Sequence, residues 1–115
     1  MTKGIRGAIT VEENSLDSIK EATLELLSEL LTQNKISKED LSHVIFTMTK
    51  DLDAAFPATF AREDMGWNDV AMMCFNELEV ENSLKKCLRV LIVVNCSDEF
   101  TPKFVYLKGA ENLRK

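Results

Sequence analysis

The sequence has few of the residues on which metal and disulfide chemistry depend. Its 115 residues include one histidine and three cysteines, and the cysteines form no CxxC pair. A tetrahedral zinc site needs nitrogen and sulfur ligands clustered at short spacing, and a disulfide framework needs cysteines in pairs. We therefore expect no metal site and no structural disulfides. An odd number of thiols without a signal peptide suits the reducing environment of the cytoplasm.

Basic charge and long apolar runs are also scarce. Lysine and arginine number 14 against 19 acidic residues, which gives a formal net charge of −5. Such a chain lacks the broad basic surface that binding to phosphate backbones requires, so no nucleic-acid partner is expected. No apolar run approaches the ~20 residues of a membrane-spanning helix. The sequence predicts a soluble, cytoplasmic protein without a membrane partner.

The apolar pattern predicts a single domain over residues 1–115 with an α+β (α/β-like) fold. Strands are expected at 4–11, 43–49, 69–77, 87–96 and 104–108, with a long helix at 15–34 and a short helix from Pro57 to just before Gly66. One long helix can cover only one face of a mixed sheet of this size. Self-association through the other face is therefore expected.

Arg89 interrupts a run of apolar residues that is otherwise typical of the centre of a sheet. A guanidinium there loses hydration, which costs several kcal/mol unless an anionic or hydrogen-bonding partner meets it. An internal salt bridge, a strand end at the solvent or a bound anion would each explain it. Arg6 lies between Gly4 and Ala8 on one strand face, a setting that suits either a pocket wall or close backbone packing.

Other polar residues in the predicted strands have ordinary explanations when taken singly. Glu77 shares a strand face with Met73, and its carboxylate could answer an arginine or orient a ligand hydroxyl. Tyr106 lies between apolar neighbours, where a buried phenol needs a hydrogen-bond partner. Cys74 has no basic neighbour that would activate its thiol, and His43 has no companion nucleophile, so both are interpreted as structural.

Six segments carry a more specific signal, because they occur in order and at compatible spacing. They are GIRGAITVEEN from Gly4, DLDAAFPATFAR from Asp51, GW from Gly66, CFNELEV from Cys74, LKKCLRV from Leu84 and VYLKGAENLR from Val105. Together they resemble the monofunctional, trimeric chorismate mutases of the pseudo-α/β-barrel class over nearly the whole chain. The resemblance implies a homotrimer with active sites between subunits. It also implies an isomerase that rearranges chorismate to prephenate in aromatic amino-acid biosynthesis and needs no cofactor.

The resemblance further implies a role for individual residues. Arg89 matches the arginine that hydrogen-bonds the ether oxygen of the breaking bond, Glu77 matches the glutamate that binds the ring hydroxyl, and Arg6 and Tyr106 match the pair that holds the side-chain carboxylate. Further matches to the substrate-binding wall and entrance are Phe56, Ala58, Arg62, Met72, Met73, Cys74, Leu113 and Arg114. Members of the class carry a lysine beside the position of Thr59, and its absence here weakens the local attraction for a dianion.

These residue types suit an intramolecular [3,3] shift, in which no proton moves and no nucleophile attacks. Such a reaction is accelerated by holding the flexible substrate in its reactive chair and by placing positive charge where negative charge grows. Three alternatives stay open at this point. They are a non-catalytic trimer that binds a small anion at its subunit interfaces, a similar trimer that acts on enamines or imines, and a purely structural subunit.

Overall fold

The computed structural model describes residues 1–113 and consists of a five-stranded mixed sheet with two helices packed on one face. The elements are β1 (Thr2–Thr10), α1 (Leu16–Asn34), β2 (Leu41–Met48), α2 (Pro57–Met65), β3 (Ala71–Asn76), β4 (Cys87–Asn95) and β5 (Val105–Leu107). Short 3-10 turns precede β2 at Lys38–Asp40 and follow β5 at Lys108–Ala110. The predicted α+β fold is confirmed.

The strand that carries Arg89 lies at the centre of the sheet. The strand order is β3-β2-β4-β1-β5, with β4 antiparallel to both of its neighbours. The edge strands β3 and β5 run parallel to β2 and β1, respectively. Along β4, buried residues alternate with half-buried or exposed ones from Leu88 onward. The continuous apolar run of β4 is therefore covered by the chain's own helices on one face only.

Helix α1 begins where the sequence predicts and covers the buried face. Ser15 caps it, because its hydroxyl oxygen accepts a hydrogen bond from the Ser18 backbone N–H at 3.1 Å. The buried residues of α1 are Ile19, Ala22, Thr23, Leu26, Leu27, Leu30 and Asn34. Gly7 lets the helix approach β1 closely, since a Cβ at that position would lie 2.8 Å from Leu30 Cδ1. Neither described helix is long and apolar enough to cross a membrane.

All five strands differ from the prediction by one or two residues at one or both ends. Strand β2 begins earlier, at the buried Leu41, and β3 is shorter at both ends than the predicted 69–77. Glu77 therefore lies just beyond β3, where its backbone N–H donates to the Met48 carbonyl at 2.9 Å. Strand β5 has three residues rather than five, because Lys108 takes a positive φ of 53° and begins a 3-10 turn.

The sheet face opposite the helices, here called the open face, is covered by neither described helix, although Ala8 on this face is buried in a small cluster with Cys87 and Ala110. It carries alternate residues of each strand, among them Arg6, Ala8, Ile45, Thr47, Met73, Phe75, Arg89, Leu91 and Tyr106. Met73 is 61% exposed and Phe75 is 47% exposed. Neighbouring exposed apolar side chains of this kind mark an interaction surface. The sequence-based expectation of a second, uncovered sheet face agrees with this arrangement.

Candidate active site

A row of side chains crosses the open face from β5 to β3. Backbone pairing sets Tyr106 opposite Ala8, Ala8 opposite Arg89, Arg89 opposite Thr47, and Thr47 opposite Phe75. Directly opposed residues of neighbouring strands point to the same face of a sheet. The row therefore brings a phenol, a guanidinium and a hydroxyl to one face, with the small Ala8 leaving space between the first two.

A cleft of about 330 Å³ lies over this row and is here called the arginine cleft. Its lining residues are Arg6, Gly7, Ala8, Ile45, Thr47, Arg89, Val90, Leu91, Tyr106 and Leu113. Two arginines and no acidic residue belong to this lining, so its field favours an anion. An apolar wall with a few converging polar groups is typical of a small-molecule site.

Arg89 reaches the arginine cleft with its charge only partly offset. Its side chain is 40% exposed, and its Nε lies 3.6 Å from Oε2 of Glu77. That separation is an ion pair but is longer than a hydrogen bond. The Nε atom is buried and has no hydrogen-bond partner among the described residues. The guanidinium thus lies beside one carboxylate, but this ion pair does not use the hydrogen-bond donor at Nε.

Tyr106 and Arg6 border the same cleft on its other side. The Tyr106 hydroxyl is buried and, within residues 1–113, makes no hydrogen bond. A buried polar atom in this condition costs about 1–3 kcal/mol, which a ligand oxygen could recover. The guanidinium carbon of Arg6 lies 5.9 Å from the centre of the Phe104 ring. This cation–π contact supports the exposed Arg6 side chain at the cleft.

Glu77 stands between the arginine cleft and a larger groove of about 560 Å³. The groove is lined by residues 49–51 and 77–85, and its charged members are Lys50, Asp51, Glu77, Glu79, Glu81 and Lys85. Four carboxylates against two lysines make this groove acidic, so it suits a dianion less well than the arginine cleft does. Size alone therefore does not identify the site.

Most of the other predicted site residues lie outside the arginine cleft, near the edge strand β3. The exceptions are Leu113 and Arg114 at the end of the chain. Phe56, Ala58, Arg62, Met72, Met73 and Cys74 belong to α2, its preceding residue and β3, and none of them is in the described lining of the arginine cleft. Phe56 is 68% exposed, and Arg62 is also exposed. Met72 and Cys74 face the helices, whereas Met73 is on the open face. Leu113 lines the cleft, and Arg114 lies outside the described residues.

Comparison with known proteins identifies the family to which this site belongs. The family model for chorismate mutase type I matches residues 2–115. The chain belongs to the chorismate mutase type I family.

Curated and solved relatives agree with this membership. A chorismate mutase AroH of Thermus thermophilus is 45% identical over 116 residues, which cover 99% of this chain and 94% of that protein. The AroH chorismate mutase of Bacillus subtilis is 40% identical over 115 residues, covering 99% and 91%. A solved chorismate mutase from Clostridium thermocellum has a TM-score of 0.89 and 50% identity, over 94% of this chain and 96% of that one. The predicted activity, chorismate mutase, is confirmed, and the comparisons do not support the non-catalytic alternative.

Two cysteines of this chorismate mutase, Cys74 on β3 and Cys87 on β4, are protonated thiols at neutral pH. Burial raises the pKa of Cys74 above its usual value, although a hydrogen bond with the Ala58 backbone lowers it in part. Burial likewise raises the pKa of Cys87, and the positive charge of Arg89 offsets part of that increase. A protonated thiol is a poor nucleophile, which fits the structural interpretation of Cys74 made from the sequence.

Three open-face side chains that line the chorismate mutase cleft were not singled out in the sequence. They are Thr47, Ile45 and Leu91, which alternate along β2 and β4 like ordinary strand residues. Their position in the cleft follows from the pairing of β2 with β4, which sets Thr47 beside Arg89. No local pattern in the sequence encodes that pairing. The one local signal was that Thr47 places a hydroxyl on the same strand face as Ile45.

Proposed function

We propose that the arginine cleft of this chorismate mutase binds chorismate and rearranges it to prephenate. The observation that carries the proposal is the position of Arg89, whose guanidinium extends from a central apolar strand into a cleft of about 330 Å³. Its Nε is buried and makes no hydrogen bond to any residue that the structure describes. A charge held in this way is costly unless an anion shares it, and chorismate is a dianion.

The proposed rate acceleration comes from positive charge at the breaking bond. Cleavage of the C–O bond runs ahead of C–C bond formation, so partial negative charge develops on the ether oxygen. A guanidinium fixed beside that oxygen stabilises the transition state more than the ground state, which is the requirement for a higher rate. Arginine suits this task better than lysine, because its planar fork can contact the ether oxygen and a carboxylate together. We assign this role to Arg89.

The other three central residues are proposed to orient the substrate. Arg6 and Tyr106 would hold the carboxylate of the enolpyruvyl side chain, and the unpaired Tyr106 hydroxyl supports this assignment. Glu77 would accept a hydrogen bond from the ring hydroxyl, since its carboxylate lies 3.6 Å from Arg89 at the boundary of the cleft. Holding both ends of the substrate favours the compact chair in which the reacting carbons meet.

We further propose a homotrimer in which each active site lies between two subunits. Two observations support this assembly. The predicted site residues form two groups, one around β4, β1 and β5 and the other on α2 and the edge strand β3. The open face between the groups carries exposed apolar side chains such as Met73 and Phe75. In the trimer, Phe56 and Arg62 of one subunit would close the arginine cleft of its neighbour, and the number of three follows from the resemblance to the trimeric class.

The edge strand β3 has a specific place in this proposal. Its inner side pairs with β2, whereas no described strand pairs with its outer side. Outward backbone groups near Cys74 are therefore available to a ligand hydroxyl or to a neighbouring subunit. Met72 and Cys74 would contribute to the site with their backbone groups, because their side chains face the helices.

We also propose a cytoplasmic location within aromatic amino-acid biosynthesis. Prephenate leads to phenylalanine and tyrosine, so the reaction belongs at the start of their common branch. The three cysteines, Cys74, Cys87 and Cys96, are all free thiols, which suits a reducing compartment.

Steady-state kinetics with purified chorismate tests the proposed function. The loss of the diene absorbance of chorismate gives the rate, and proton NMR of the mixture identifies the product as prephenate. We expect saturable turnover that depends on the amount of protein. If chorismate rearranges no faster with the folded protein than without it, the proposal is contradicted, whether or not the compound binds.

A further inference from the structure

Thr47 makes a contact that links it to both of the central charged residues. It lies on β2 directly opposite Arg89, and it is part of the lining of the arginine cleft. Its hydroxyl donates a hydrogen bond to Oε2 of Glu77. The same Oε2 atom is the one that lies 3.6 Å from the Arg89 Nε. The same carboxylate oxygen therefore accepts the hydrogen bond from Thr47 and forms the ion pair with Arg89.

Glu77 is held at two points by consecutive residues of β2. Its backbone N–H donates to the Met48 carbonyl at 2.9 Å, and its side chain accepts from Thr47. Glu77 itself lies beyond the end of β3 and has no strand pairing of its own. The position of its carboxylate therefore depends on the Thr47 hydroxyl more than on the local backbone.

The hydroxyl also limits how closely Glu77 can bind Arg89. A free carboxylate beside a guanidinium tends to form two short parallel hydrogen bonds with it. In this protein the Arg89 Nε stays beyond hydrogen-bond distance of the carboxylate. Because the hydrogen bond from Thr47 fixes the orientation of the carboxylate, rotation into a tight bidentate pair with Arg89 is disfavoured. The guanidinium is thereby left free to hydrogen-bond an oxygen in the cleft.

We propose that Thr47 is a positioning residue for the rearrangement, acting through Glu77 to keep Arg89 directed into the arginine cleft. This inference rests on the proposed function of the cleft. Threonine suits the task because its β-branched side chain has few rotamers in a strand, so the hydroxyl is fixed at little entropic cost. Strand β2 lies between β3 and β4, which limits movement of its backbone.

The first test compares the kinetics of Thr47→Val, Thr47→Ser and the wild type on chorismate. Valine keeps the shape and removes the hydroxyl, whereas serine keeps the hydroxyl. A hydrogen bond to a charged group corresponds to a roughly 10- to 100-fold change in rate, so we expect kcat of Thr47→Val to fall by that factor. We expect KM to change by less than about threefold, and Thr47→Ser to regain most of the lost kcat.

Thr2→Val is the matched control, because Thr2 is exposed at the start of β1 and outside the cleft. It should keep wild-type kinetics. Circular dichroism and thermal unfolding establish that each variant is folded, and Thr47→Ala replaces Thr47→Val if the valine variant does not fold. A kcat of the hydroxyl-free variant equal to that of an active wild type would overturn the inference while leaving the proposed function intact. So would a loss that serine does not restore.

A double-mutant cycle separates action through Glu77 from a direct contact with the substrate. In a Glu77→Ala background, Thr47→Val should lower kcat by less than about threefold further, since the partner of the hydroxyl is gone. The full single-variant loss in that background would contradict a role through Glu77. A folded wild type that does not convert chorismate would refute the proposed function itself, and this inference with it.

Discussion

Arg89 and Tyr106 lie on two different strands that both pair with Ala8 of β1, so the two side chains stand on either side of one small residue. The pairing is antiparallel for Arg89 on β4 and parallel for Tyr106 on β5. Ala8 has 0% exposure and fills little of the space between them. Each of the larger side chains has one buried polar atom without a hydrogen bond in the described chain. In the proposed function, a substrate with oxygen atoms at both ends would supply a partner to each of these two atoms.

Removing the Tyr106 hydroxyl should therefore weaken substrate binding without weakening the fold. The hydroxyl is buried and unpaired in the described chain, so Tyr106→Phe deletes a polar atom that costs folding free energy. We expect an unchanged or slightly higher melting temperature. The loss of a hydrogen bond to a carboxylate should raise KM by roughly 10-fold or more. Thermal unfolding and steady-state kinetics on the same samples measure both effects.

Phe104→Leu provides a comparison at a neighbouring aromatic residue that keeps its hydrophobic character. It removes the ring that contacts Arg6 but no side-chain hydrogen-bonding group, so it should change KM less than Tyr106→Phe does. A Tyr106→Phe variant with normal KM and a clearly lower melting temperature would mean that the phenol has a structural role instead.

The open face should hold the subunits together. Phe75 is 47% exposed on that face, and a charge there would be buried and unpaired at the proposed interface. If the proposed trimer forms through this face, Phe75→Asp should convert it into smaller species in sedimentation velocity and reduce turnover at the same time. Leu16→Asp is the matched control, because Leu16 is 54% exposed at the start of α1, away from the open face. Dissociation of both variants, or of neither, would argue against an interface at this face.

Asp51 should make stability depend on pH at the acidic end. Burial alone raises the pKa of Asp51, but hydrogen bonds from the Thr49 hydroxyl and the Lys86 backbone N–H outweigh it, so the pKa lies below its usual value. The Thr49 contact is 2.5 Å, and the two from Lys86 are 3.0 and 3.2 Å. With a lowered folded-state pKa, ionised Asp51 stabilises the fold above the unfolded pKa of about 3.9. That contribution is lost as pH falls through the folded pKa.

The free energy of unfolding of Asp51→Asn is the corresponding measurement. At one fixed protein concentration, the variant should be less stable than the wild type at pH 7, and the difference should shrink below about pH 4. Asp98→Asn, at an exposed position after β4, controls for the removal of one negative charge elsewhere. A difference for Asp51→Asn that is as large at pH 3 as at pH 7 would show that ionisation of Asp51 is not its cause.

Features with a local cause were predictable from the sequence. The cap at Ser15, the apolar spacing of α1 and the glycine that ends α2 each depend on neighbours within a few residues. Arg89 was identified because a charge in an apolar strand is costly wherever the strand lies. Local properties of this kind were enough to predict the helices and strands and to select Arg89 without knowledge of any tertiary contact.

Features that depend on strand pairing were not predictable in the same way. Thr47 belongs to the site because β2 pairs with β4 in one register, and a shift of one residue would turn its side chain to the other face. Glu77 was expected on a strand but lies beyond β3, where a hydrogen bond to Met48 holds it. Phe56 and Arg62 were connected with the site only through the family resemblance, since within one chain they lie at the far edge of the sheet.

The most direct test of the account is kcat for Arg89→Ala in a variant that remains folded and keeps the oligomeric state of the wild type. Loss of a preorganised donor aimed at developing negative charge costs about 3–4 kcal/mol, which corresponds to a fall in kcat of roughly 100- to 1000-fold. We predict a fall of at least that size, with a circular dichroism spectrum and sedimentation coefficient like those of the wild type. Turnover of chorismate by Arg89→Ala at close to the wild-type rate would contradict the central claim that this guanidinium stabilises the departing oxygen.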